Sequence, residues 1–101
     1  MLNEKVIALL NQQVNKELYS AYLYLEISNF YDSISLDGFA NWFMIQAQEE
    51  RDHAMLFYRY LLNNNEKVEL KAIEKPSYAL TSDLDVLKHG LECYIEDGVN
   101  F

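Results

Sequence analysis

Phe43-Met44-Ile45-Gln46-Ala47-Gln48-Glu49-Glu50-Arg51-Asp52-His53-Ala54-Met55-Leu56-Phe57 is the stretch that decides how this chain folds. Phe43, Ala47, Ala54 and Phe57 recur at the spacing that places side chains on one face of an α-helix. Glu50 and His53, three residues apart, fall on that same face. An ionisable pair within an apolar row is costly to bury unless each group has a strong partner. A divalent metal ion suits a carboxylate and an imidazole at once, so Glu50-x-x-His53 is the first pointer to chemistry.

Upstream, Asn3 can cap a helix opened by Glu4, and good helix formers run without Pro or Gly to about Tyr31, giving a first helix over 3–31. At about 1.5 Å per residue it would be about 40 Å long. Its apolar stripe reads Val6, Leu10, Val14, Glu17, Ala21, Tyr24 and Ser28, widened by Leu18, Leu25 and Ile27. Glu17 and Tyr24, seven apart, share a face. The polar run Asp32-Ser33-Ile34-Ser35-Leu36-Asp37-Gly38 is short enough to fold a second helix, over 37–62, back antiparallel on the first. Asn63-Asn64-Asn65 ends it, because Asn competes for backbone hydrogen bonds and tolerates left-handed geometry.

From Glu66 to Thr81 there is no clean period, and Pro76 forbids a continuous helix, so residues 63–81 read as a long extended crossover. Ser82 and Asp85 resemble a capping pair opening a short third helix over 83–97 through Leu87, Leu91 and Ile95, before Gly98. The fold class expected is therefore all-α, one domain over 1–101, with two long antiparallel helices, a crossover and a short third helix. Each long helix carries an apolar stripe too broad for its hairpin partner alone, so this is an incomplete four-helix bundle that a partner chain would complete.

Composition narrows the function. The chain has 101 residues, half of them hydrophobic, and its 16 acidic against 8 basic residues give a formal charge of −8. That size holds one small domain. That charge disfavours nucleic acid and anionic membrane surfaces as partners and favours cations. No run approaches the roughly 20 apolar residues that span a bilayer, and the amino terminus lacks the layout of a secretory signal. Cys93 is the one cysteine and cannot form an internal disulfide, which makes the cytoplasm the expected compartment. Cys93 reads as a small buried hydrophobe and His89 as an ordinary surface histidine.

Three segments together carry a family resemblance: Glu17-Leu18-Tyr19-Ser20-Ala21-Tyr22-Leu23-Tyr24, then Ala47-Gln48-Glu49-Glu50-Arg51-Asp52-His53-Ala54, then Ala72-Ile73-Glu74-Lys75-Pro76. They resemble the first helix, second helix and crossover of a bacterial non-haem ferritin. The likeness extends over most of this chain but only about the first half of a full ferritin subunit. It implies a ferritin-like helical bundle that oxidises Fe(II) with dioxygen or peroxide and stores the ferric product in a homo-oligomeric shell. By the same resemblance Glu17, Glu50 and His53 are ligands of a di-iron ferroxidase centre. Glu50 would bridge the two irons, Tyr24 would be a nearby phenol, and Glu49 would face an auxiliary third iron site. Carboxylates favour Fe(III) and a neutral imidazole accommodates Fe(II). Gln46, seven residues back on the same face, is one possible partner for the second ring nitrogen of His53.

The chain also departs from the family. Tyr94 stands where the third helix is expected to supply a Glu for the second iron, and Glu96, two residues on, is about 200° further round the helix. No fourth helix follows, and Glu96-Asp97-Gly98-Val99-Asn100-Phe101 reads as a changed or prematurely terminated tail. Two alternatives follow from these departures. A di-iron carboxylate bundle needs one Glu from each of two helices and Glu-x-x-His from each of two others, so a two-fold dimer of hairpins would rebuild a full ligand set. The chain could instead be a non-catalytic structural or regulatory partner of full-length ferritin subunits.

Overall fold

A computed structural model of the chain describes residues 2–75. Pro76, the end of the crossover, the capping pair Ser82 and Asp85, the third helix over 83–97, and His89, Cys93, Tyr94 and Glu96 lie outside the described residues.

Two long helices dominate: α1, Glu4–Ser33, and α2, Asp37–Asn63. α1 starts where Asn3, in extended backbone, accepts the Val6 amide on its side-chain oxygen at 2.9 Å. This satisfies one of the amides that a helix start leaves without an internal partner. The helix runs two residues past Tyr31, because Asp32 and Ser33 stay helical and Ser33 Oγ donates to the Phe30 carbonyl at 2.6 Å.

Both helix ends close in the same way. Ser35 takes a left-handed φ of 61° while the Leu36 amide reaches back to the Tyr31 carbonyl at 2.9 Å and the Ser35 amide to Asp32 at 3.1 Å. Asn65, at φ 59°, does the same for α2, with Glu66 bonded to Leu61 at 2.9 Å and Asn65 to Leu62 at 3.0 Å. These are Schellman closures built on Ser and Asn in place of the usual Gly. Gly38, the one glycine of the turn-rich run, lies inside α2 and takes no part in the reversal.

The interface between the helices is aromatic towards the turn. Tyr24, Ile27, Tyr31, Ala40 and Phe43 form a buried cluster with Leu23 and Ala47, and Leu36 packs against it. The Tyr31 and Phe43 rings stack at 5.9 Å, and Phe43 also meets Tyr24 at 6.0 Å and Trp42 edge-on at 4.9 Å. Ser28 Oγ donates to the Ala40 carbonyl across the interface at 2.6 Å and fixes where the helices meet. The α1 stripe differs from its expected course at both flanks. Leu25 is 44% exposed and Val6 36%, whereas Leu23 and Ser20 are buried. Aliphatic residues lie on both sides of the Glu17–Tyr24 line, and contact with α2 buries the Leu23–Ile27 side.

Beyond Asn65 the described chain has neither helix nor strand and returns along α1. Two asparagines one turn apart hold it there. Asn11 accepts the Glu69 amide at 2.8 Å, while Asn15 donates to the Glu69 carbonyl and accepts the Lys71 amide, each at 2.8 Å.

Candidate metal centre

The hairpin brings together Glu50 and His53, which the spacing singled out, and Glu17, which the family resemblance added to them. Glu17 on α1 is fully buried, and Glu50 on α2 is 4% exposed. His53 lies one turn after Glu50, its side chain 37% exposed. Its Nδ1 faces inward, 3.9 Å from Glu17 Oε2 and 3.7 Å from Glu50 Oε2. One ligand atom from each of the three residues lies within 4.8 Å of the others, the one such group of three or more His, Cys, Asp or Glu side chains among the described residues.

These distances are too long for direct hydrogen bonds. Donor atoms sharing one first-row metal ion, at bonds of about 2.0–2.2 Å, lie about 3–3.5 Å apart. A closing of about 1 Å, within reach of side-chain torsions, would therefore let the group grip an ion between its members. A second observation fits the same reading: Glu50 Oε2 is buried and has no hydrogen-bond partner among the described residues. Such an oxygen has lost water without replacement, which is costly for a carboxylate unless a cation takes its place. Two hard oxygens and an imidazole suit ions such as Fe(II), Mn(II), Co(II) or Zn(II).

The other expected site residues fall elsewhere. Tyr24 is fully buried two turns along α1 from Glu17, with its ring against Phe43. Glu49 is exposed and is not part of the three-residue group. Gln46 does not partner His53. It is 7% exposed, and its carbonyl oxygen is buried with no hydrogen-bond partner among the described residues. Seven residues are two helical turns, about 10.5 Å along the axis, whereas side chains meet at three and four. Sequence reasoning also passed over Gln13, whose amide donates Nε2–H to Glu17 Oε1. The signal was present, since Gln13 lies four residues before a carboxylate assigned to the buried stripe.

A helical hairpin that aims two buried carboxylates and an imidazole at one point defines the class: an all-α protein with a candidate carboxylate–histidine metal centre. Its relatives make the class specific. The Ferritin-like domain family matches residues 7–96, and the chain belongs to that family. It is 40% identical over 92 residues to a bacterial non-heme ferritin of Campylobacter jejuni, covering 91% of this chain and 55% of that protein. An open-pore ferritin from the archaeon Archaeoglobus fulgidus superposes with a TM-score of 0.86 at 40% identity, covering 95% of this chain and 58% of that one. A PmFTN variant soaked in iron superposes equally well, with a TM-score of 0.86 at 29% identity, covering 94% of this chain and 61% of that one. The chain thus spans little more than half the length of the curated relatives it matches. The described helices are those of an all-α, ferritin-like bundle. No helix among the described residues is long and apolar enough to cross a membrane.

Proposed function

We propose that this chain handles iron as non-haem ferritins do, binding Fe(II) at Glu17, Glu50 and His53, oxidising it, and contributing to an assembly that stores the product. The observation that carries the proposal is the convergence of those ligand atoms within 4.8 Å of one another, with both carboxylates buried. Family membership and a relative that was soaked in iron favour iron as the metal.

Iron is here the substrate. Each Fe(II) gives up one electron, so two ions and two protons reduce dioxygen to hydrogen peroxide, and two more of each reduce the peroxide to water. Glu17 and Glu50 bind the ion and stabilise the charge it gains on oxidation, and His53 supplies a nitrogen donor suited to the ferrous state. By the family resemblance Glu50 would be the carboxylate shared between two ions, Tyr24 a phenol close to the centre, and Glu49, exposed beside Glu50, a ligand of an auxiliary iron. The acidic balance of the chain draws cations towards it and disfavours nucleic acid and anionic membranes as partners. The single cysteine favours a cytoplasmic setting.

A second reading concerns assembly. Glu17 together with Glu50-x-x-His53 is half of the ligand set of a di-iron carboxylate bundle, so a second copy related by a two-fold axis would supply the other half. Light scattering on the metal-free protein with an iron titration tests it. A stable monomer, or saturation well below one iron per chain, would rule out the dimer.

Oxidation itself is tested by adding Fe(II) in air to the wild-type chain and to Glu50→Ala. Ultraviolet absorbance of ferric species should rise faster with the wild type. Equal rates would leave the chain as a non-catalytic partner of full-length ferritin subunits.

A further inference from the structure

We infer that Gln13 is a positioning residue for the Glu17 carboxylate, an inference that rests on the metal-binding reading above. α1 places Gln13 one turn before Glu17, partly buried, and its side-chain amide donates to Glu17 Oε1. This bond makes the two oxygens of a fully buried carboxylate inequivalent. Oε1 is occupied by the amide, and Oε2 is the oxygen that lies 3.9 Å from His53 Nδ1. A glutamate has three side-chain torsions, and a donor anchored on the same helix restricts the rotation that would swap its oxygens.

The chemistry of the donor matters as much as its place. A lysine or arginine there would orient the carboxylate too, but its positive charge would compete with the cation. A neutral amide orients Glu17 and leaves its charge to the metal. Groups that orient a ligand in this way typically contribute about 10–100-fold in metal affinity.

The test uses the 101-residue chain, stripped of metal by a chelator and titrated with Co(II), whose visible absorption reports coordination geometry. Gln13→Leu and Gln13→Met each remove the donor at similar volume without adding charge. Both should weaken Co(II) binding by about 10–100-fold and alter the band shape. Metal-free Gln13→Leu should melt below the wild type, because a fully buried carboxylate loses a donor, and the altered Co(II) band shape is the readout that a purely structural role would not move. Co(II) affinity and spectrum unchanged in both variants would overturn the inference alone. A wild-type chain showing no Co(II) spectrum that Glu50→Gln abolishes would overturn the metal-binding reading, and this inference with it.

Discussion

Glu50→Gln should make the metal-free protein more stable while removing its response to metal. Glu17 and Glu50 are 0% and 4% exposed and present ligand oxygens within 4.8 Å of each other. Two ionised carboxylates at that separation repel by about 3.5 kcal/mol at an effective dielectric constant of about 20. His53, at 3.7 and 3.9 Å, returns part of this when it carries a proton, and its partial exposure lets solvent screen that attraction. A net gain of about 1–2 kcal/mol is expected from neutralising Glu50. Gln keeps the volume of Glu, and the introduced amide can donate to Glu17 Oε2, so packing is preserved.

For a domain of this size each kcal/mol moves the unfolding midpoint by about 4–8 °C. Far-ultraviolet circular dichroism, recorded on heating with a chelator present, should show the variant melting above the wild type. Co(II) or Zn(II) at a hundredfold excess over its dissociation constant should then stabilise the wild type by about 2.7 kcal/mol and the variant by much less, so the order of melting reverses. If the variant melts below the wild type without metal, Glu50 is satisfied by the fold itself. The argument that a cation is needed there would then fail.

Ser35→Gly should raise the urea midpoint by an amount equivalent to about 0.5–1 kcal/mol, because Ser35 holds a left-handed φ of 61° at the end of α1 where glycine has no Cβ penalty. Asn15→Ala removes both 2.8 Å bonds to the returning chain. It should cost about 1–2 kcal/mol and speed hydrogen exchange at the Lys71 amide well above that in the helix interiors. Phe43→Ala empties the centre of the contacts with Tyr24, Tyr31 and Trp42, and should cost about 3–5 kcal/mol in denaturant unfolding.

The two helices were legible because they rest on periodicity, which is local, and the meeting of Glu17 with Glu50 and His53 was implied by the family resemblance laid on that pattern. Glu50 and His53 share a turn, and Glu17 needed only a hairpin short enough to force antiparallel packing. What escaped notice depended on contacts across the interface. Nothing in the α1 pattern says that Leu23 is buried and Leu25 is not, since each flanks the stripe and the docking angle of α2 makes the choice. The left-handed turn residue is Ser35 although Gly38 is close by, because the helix end sets the position and the closure tolerates a short polar side chain. The asparagine clamp was invisible for another reason. Asn11 and Asn15 read as ordinary polar positions until the crossover is laid beside them.

The register of the hairpin and the composition of the site are one problem. Going back eleven residues from Ser28 and forward ten from Ala40 reaches Glu17 and Glu50, about 15 Å from the Ser28–Ala40 bond. Slipping one helix by a single residue would carry its buried carboxylate about 100° round the axis and out of the shared interior. The like charges at the site favour such a slip, since moving either carboxylate towards solvent relieves their repulsion. The aromatic packing of Tyr24, Tyr31 and Phe43 and the buried Ser28 bond oppose it at the turn end, where a change of register would break several well-packed contacts at once. The two effects are therefore coupled. Weakening the aromatic cluster should loosen the candidate site before it unfolds the helices, and a Phe43→Leu chain should lose Co(II) affinity at temperatures where its helical circular dichroism is unchanged. Affinity that falls only in step with helix content would show that the turn end does not set the geometry of the site.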